Sequence, residues 1–541
     1  MNLRTFVRVS LCAFVLAQPA HLLAMKADWD YVEASLSADP GGKTLNLPPY
    51  VGGALAEFQN SGDTLKDSNW MAWVEKGERD DGKPTIKPDH KTGESQVPGK
   101  ACDFWNLYKK DCDLMQDFGF NLCRFSLDWS MVQPKAPTRD KDNFDEKAIA
   151  HYHDVIDSML ERGLEPMVTL HHFTHPQWWE EMGAFEKYEN LVHFRKFAVR
   201  MFDEFAGKVK LWCTINEPGC YYFQAYINGE FAPAYTLQTG GKRKFTENLE
   251  RAADVLGNIL KAHIHVYSDL KYLQKDRTFL RTHKGAEEAK IGMVHQYMTF
   301  RSYHQNDRKW VITALPAEVL PAKFMTYCFN DVIMRFLKTG KFSFRYSPLM
   351  TAEFEVRYFK KPSDINDFIG LNYYSRPVIT QSSLTKVEPL HLPDQVMTDM
   401  TYPMDPEGFE IALRDAASLE IPVYVTENGV SDRHDSINEG DSSDTRKLRD
   451  RWIKRHLYVV SELRNEGLPI LSYIYWTPFT NFEWNDGYNC DFGLHAVDLK
   501  TQARTLRNGA KWFKGVLNAK KMNKGPILIN ERALDFKVQG G

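Results

Sequence analysis

Two glutamates stand in segments suited to acid–base and nucleophilic chemistry. One segment reads Thr214-Ile215-Asn216-Glu217-Pro218 and the other Val425-Thr426-Glu427-Asn428-Gly429. Each closes an apolar, β-branched run, which places the glutamate at the end of a strand. Two carboxyls brought into one mouth are what cleavage of a glycosidic bond requires. One attacks or stabilises an oxocarbenium-like centre, and the other, protonated, hands its proton to the departing oxygen. Close carboxyls disfavour double ionisation, so the pair itself can hold one of them protonated near neutral pH. Taken singly, either glutamate reads as a surface or helix-cap carboxylate; at matching ends of two strands they read as a site.

The elements that would position them recur eight times. Apolar or aromatic runs at 50–59, 121–129, 165–173, 209–217, 290–298, 367–374, 422–427 and 470–476 alternate with helix-period stretches. One such stretch, 145–163, carries Ile149, Ile156, Met159 and Leu160 on one face and Gly163 as a stop; another, 444–467, also closes on glycine. Near-continuous apolar strands between helices predict a parallel sheet covered on its outside, and eight units predict closure. The expected fold class is therefore α/β, a single (β/α)8 TIM barrel with elaborated loops spanning 25–541. An open doubly wound sheet is the alternative, but no Gly-rich phosphate loop follows the first strand. The stretches 75–99 and 434–443 are polar and expected to be exposed.

Composition narrows the function further. The 541 residues carry 68 Lys plus Arg and 71 Asp plus Glu, a net charge of -3 that excludes a dedicated nucleic-acid binder. No later apolar run is long enough to span a bilayer, so no membrane insertion of the mature chain is expected. The chain holds 13 Trp, 24 Tyr and 33 Phe, which suits a pocket that stacks the C–H faces of sugars. Cys12 lies in the N-terminal segment; the remaining seven cysteines, odd in number and irregularly spaced, argue against a disulfide framework. A basic start followed by a short apolar stretch reads as a signal peptide over 1–24, which makes the protein secreted or periplasmic; a start at Met25 would instead make it cytoplasmic. His171, His172 and His175 invite a metal, but adjacent strand residues face opposite ways and no matching ligand cluster accompanies them.

With these motifs in place the chain resembles family 1 glycoside hydrolases, the β-glucosidase and β-galactosidase family of (β/α)8 barrels acting with retention. The likeness runs from about 50 to about 517. It implies Glu217 as general acid/base, Glu427 as nucleophile and Asn216 as a partner of the sugar 2-hydroxyl, with no metal or organic cofactor. Arg124, in Cys-Arg-Phe-Ser-Leu-Asp-Trp, matches the arginine beside the nucleophile. Asn372 and Tyr374 match the segment that orients it. Gln59, His172, Glu483 and Trp484 match residues that grip the 3-, 4- and 6-hydroxyls of the terminal sugar, Trp476 the aromatic floor, and Phe492 a pocket phenylalanine.

Departures bear on substrate. Ser61 stands where the family has Glu, Phe173-Thr174 replace Trp-Asp, and Tyr402 replaces a Trp that stacks on the aglycone. Members acting on 6-phosphoglycosides carry Ser, Lys and Tyr in the last loop, where Glu483 and Cys490-Asp491 would repel a phosphate. Glu217 argues against a thioglucosidase, which has Gln there. The resemblance thus implies a retaining exo-β-glycosidase releasing terminal β-D-glucosyl, or β-galactosyl or fucosyl, residues from small-molecule or oligosaccharide β-glycosides. A non-catalytic glycan-binding barrel and a transglycosylase are the alternatives.

Overall fold

Eight parallel strands close into a barrel in sequential order. They are β1 (Tyr50–Leu55), β2 (Leu122–Ser126), β3 (Glu165–Thr169), β4 (Leu211–Asn216), β5 (Lys290–Gln296), β6 (Phe368–Asn372), β7 (Val423–Asn428) and β8 (Ile470–Trp476). The last pairs with the first, Tyr50 facing Ser472 and Ala54 facing Trp476. The computed structural model describes residues 27–39, 44–236, 241–302, 316–345, 350–381, 387–392, 395–438 and 446–523. The leader read at 1–24 lies outside the described residues, as does the end of the 434–443 stretch.

The helices form where capping and periodicity coincide. Glu146–Glu161 begins on Asp145, whose side chain accepts from the Lys147 and Ala148 amides, and it buries Ile149, Tyr152, Val155, Ile156 and Met159. Leu160, expected on that face, is instead 38% exposed. The helix expected over 444–467 runs Leu448–Asn465 and binds the N-terminal helix Trp29–Ala38 through Glu33, which pairs with Arg451 and Arg455. No helix among the described residues is long and apolar enough to cross a membrane.

Several strands, β1 to β3 among them, are shorter than the apolar runs that announced them. β1 stops at Leu55, and Gln59 lies in a helical turn, Glu57–Ser61; β2 stops at Ser126, and Trp129 opens the turn Trp129–Val132. β3 ends at Thr169, before His172. Apolarity continues past these strands because the mouth of the barrel is itself roofed by aromatic side chains. Trp129 belongs to that packing, stacked on Phe197 and tilted against Trp179, not to the site.

Irregular pairing falls on the two glutamate-bearing segments. The β4–β5 register shifts between Cys213 and Asn216, and both pairings of β7 shift between Val425 and Asn428. Such irregularities re-aim side chains at the rim of a barrel. Gly429 makes the second one possible: a Cβ there would lie 1.9 Å from the Trp476 carbonyl oxygen.

Candidate active site

Glu217 follows β4 directly and takes φ +44°, in the left-handed region, before Pro218 starts the helix Pro218–Tyr226. For a non-glycine residue this conformation costs about 1–2 kcal/mol. It is held by the Glu217 amide, which donates to the Val294 carbonyl at 2.9 Å. The carboxyl that results is 4% exposed and receives the Asn372 amide, Nδ2 to Oε1, at 2.6 Å. Burial and the nearby Glu427 charge push its pKa up to about 8. At neutral pH it therefore carries its proton.

Glu427, 3% exposed, sits in opposite surroundings. Arg124 donates to its Oε1 at 2.5 Å and the Tyr374 hydroxyl to its Oε2 at 2.7 Å. A buried carboxylate with a guanidinium and a hydroxyl on its two oxygens has its charge compensated. Arg124 also donates to Asn216 Oδ1 at 2.7 Å and to Thr169 Oγ1 at 3.1 Å, so its fork cannot swing away from the carboxylate. One carboxyl is thus protonated and the other matched to a cation, the division of roles that transfer between two oxygens requires.

The amide of Asn216 has its orientation set by its neighbours. Oδ1 accepts from Arg124 and from Asn372 Nδ2 (3.2 Å), which leaves Nδ2 to donate to His172 Nε2 at 3.1 Å. Burial and Arg124 hold the His172 pKa well below its ordinary value, so the ring is neutral and its proton sits on Nδ1. That Nδ1 is buried without a protein partner, as is Gln59 Oε1, while Gln59 Nε2 donates to Glu483 Oε2 at 2.9 Å. Trp476 Nε1 reaches the same Glu483 oxygen at 3.4 Å. The His172 ring lies 5.9 Å from both Trp476 and Trp484, and Tyr374 meets Phe492 edge-on at 5.9 Å.

These contacts link all twelve residues singled out from the sequence into one connected set around the barrel mouth. His171 turns the other way from His172 and contacts His175 (3.2 Å), which pairs with Glu180 at 2.6 Å. Among the described residues no group of three His, Cys, Asp or Glu could hold a metal. Several supporting residues were not singled out from the sequence. Thr426 donates to Asn372 Oδ1 at 2.6 Å and so fixes the amide that faces Glu217. Thr169 anchors Arg124. Phe58, Trp70, Phe173 and Phe231 enclose Trp484, with ring centroids 4.6–6.1 Å away. Thr169 was legible in principle, since across the β2–β3 pairing it shares the parity of Arg124; Thr426 was not, because it adjoins Glu427 and both reach the site only through the register shift of β7.

The chain matches the sequence model of Glycosyl hydrolase family 1 over residues 52–522. It belongs to that family. Among its relatives, the 6-phospho-beta-galactosidase of Clostridium acetobutylicum is 27% identical over 511 residues, 87% of this chain and 96% of that protein. The beta-glycosidase from Pyrococcus horikoshii superposes with a TM-score of 0.67 at 26% identity, covering 88% of this chain and 95% of that one. The beta-glucosidase from Thermotoga maritima in complex with glucoimidazole gives 0.68 at 25%, covering 88% and 99%. The protein is thus a glycosidase hydrolysing O-glycosyl compounds on a closed (β/α)8 barrel, and its substrate is a carbohydrate.

Proposed function

We propose that the protein is a retaining exo-β-glycosidase that releases a terminal, non-phosphorylated β-D-glucosyl residue, or its β-galactosyl or fucosyl counterpart. In this reading Glu427 attacks the anomeric carbon while Glu217 protonates the departing oxygen, forming a glycosyl–Glu427 ester. Glu217, now a base, takes a proton from water, which attacks the anomeric carbon, frees Glu427 and closes the cycle with retention. The observation that carries the assignment is the contrast between the two carboxyls: one protonated by burial and a neighbouring charge, the other bound by Arg124 and Tyr374.

The pocket chemistry supports a polyol. Gln59 offers an unpartnered acceptor and His172 an unpartnered donor, and a sugar hydroxyl can satisfy both kinds at once. The curated relative acts on a phosphosugar, but here the last loop presents carboxyls. Glu483 is buried and bound to Gln59 and Trp476, and Asp491 is engaged by Arg507. A phosphate dianion brought there would meet no free cation from this loop: Glu483, its pKa pushed up to about 8 by burial, holds a proton at neutral pH, and Asp491 is already bound to Arg507. The leader read at 1–24 would place the enzyme outside the cytoplasm, and N-terminal sequencing of the exported protein tests that.

Incubation with 2,4-dinitrophenyl 2-deoxy-2-fluoro-β-D-glucoside, followed by intact mass and peptide mapping, tests the proposal. A stable one-sugar adduct on Glu427 is expected. An adduct only from the 6-phosphogalactoside counterpart would overturn the substrate class, and an adduct on another residue would overturn the nucleophile.

A further inference from the structure

The polar stretch 75–99 is largely exposed, as expected, and one side of it rests on the turn that carries Glu483 and Trp484. The Lys87 amide donates to the Asn485 carbonyl at 2.8 Å, and the Lys87 ammonium pairs with Asp486 at 2.7 Å. Asn489 Nδ2 donates to the Pro88 carbonyl at 3.0 Å. At the centre stands Gln96. Its Oε1 accepts the Tyr488 amide at 2.8 Å, while its Nε2 donates to the Lys87 carbonyl at 2.8 Å. One side-chain amide therefore ties both loops through their backbones.

The turn needs such a restraint. Trp484 is held at φ +45°, in the left-handed region, where an aromatic residue persists only when its surroundings over-determine it. Within the turn the Glu483 amide donates to the Gly487 carbonyl at 2.8 Å, and Gly487 is itself at φ +59°. A Cβ at 487 would lie 2.9 Å from the Gln96 amide group, so the two loops meet in direct contact at this point. The path from Gln96 to Glu483 thus runs through Tyr488 and Gly487, with a bonded contact at each step.

We infer that Gln96 is a positioning residue for terminal-sugar recognition: by locking the 84–98 loop onto the 483–489 turn it aims Glu483 and Trp484 at the outer hydroxyls of the substrate. Gln96 touches no reacting atom. Its effect reaches the reaction through the two residues it places, and the inference rests on their assignment to the sugar. The same contacts join a loop rich in Lys, Asp and Gly to a segment about 390 residues away in the chain.

The test compares Gln96→Leu with the full-length wild-type enzyme on 4-nitrophenyl β-D-glucoside and on its 6-deoxy analogue, which lacks the hydroxyl the turn would bind. Hydrogen exchange of the 483–489 amides is followed in parallel. The variant is expected to lose roughly tenfold in kcat/KM on the glucoside, mainly through KM, and less than twofold on the 6-deoxy substrate. Exchange in the turn should accelerate. Equal losses on both substrates, or unchanged exchange, would overturn the lock. If exchange accelerates but wild type itself does not prefer the glucoside to the 6-deoxy analogue, the assignment of Glu483 fails while the lock stands. The sugar-positioning role of Gln96 is then overturned with it.

Discussion

Replacing Glu427 by Gln should move the titration of Glu217, because the raised pKa of Glu217 has two causes. Burial is the larger and the Glu427 charge the second. In retaining glycosidases the two carboxyls stand about 5–5.5 Å apart. At an effective dielectric of about 20, two unit charges at that distance repel by ~3 kcal/mol, or roughly two pH units. The variant removes this share and leaves burial and the Asn372 hydrogen bond in place. Glu217 should then titrate near ~6 instead of about 8. The substitution is isosteric: Gln Oε1 can still accept from Arg124, while its Nε2 would donate to the Tyr374 hydroxyl oxygen instead of accepting from it, so the pocket keeps its shape. Carbon-13 NMR of glutamate-labelled protein reads the shift directly, with the Glu217→Gln/Glu427→Gln double variant identifying the resonance by difference. Because the same drop occurs when Glu427 is esterified by the sugar, it is also what turns Glu217 from acid into base between the two half-reactions. A Glu217 titration unchanged in Glu427→Gln would refute the reasoning, since burial alone would then account for the shift and the pair would not communicate.

Other outcomes follow from the same contacts. Tyr374→Phe removes the donor to Glu427 Oε2 at 2.7 Å; a hydrogen bond to a charged group is worth about 1.5–3 kcal/mol, so kcat should fall roughly ten- to a hundredfold. Steady-state kinetics on an activated aryl glucoside reads this, and wild-type kcat would exclude a role for the hydroxyl. Folding stability should fall as pH rises from about 6.5 to about 8. Glu57, Glu217 and Glu483 are each raised to about 8 by burial, so across that window the folded state holds protons that the unfolded state has released. Below it the buried histidines, His263, His295 and His495 near 4 and His456 near 3, act with the opposite sign, because there the unfolded state binds the extra protons. Urea titrations at several pH values measure the slope, and Glu57→Gln should flatten it by up to about 1.4 kcal/mol per pH unit. A slope unchanged by that variant would place the Glu57 proton elsewhere.

What the sequence made legible is the part of the site that lies in register with the strands. Glu217, Glu427 and Asn372 stand at or beside strand ends and Arg124 lies within β2; apolar patterning along the chain locates the two glutamates, and the family resemblance adds Arg124 and Asn372. The residues beyond the strand ends were harder to read for a physical reason. Glu57, Gln59, Asn60 and Ser61 are polar yet wholly buried in one helical turn, with Ser61 donating to Glu57 at 2.6 Å and the Trp105 amide donating to Ser61. Local periodicity cannot distinguish such a turn from an exposed loop, because what compensates its polarity comes from Ser126 and Trp105 on other elements. The 75–99 loop is largely exposed, as its polarity predicts, but its contacts to the last barrel loop through Lys87 and Gln96 are a pairing that no window along the chain contains. The positive-φ residues Phe173, Glu217 and Trp484 share this origin. Each lies at or beyond the end of a barrel strand, where the chain leaves the regular pairing and enters the mouth. In this barrel the strands supply the direction of the chemistry, while its aim is set by long-range hydrogen bonds to side chains whose types alone would suggest a solvated surface.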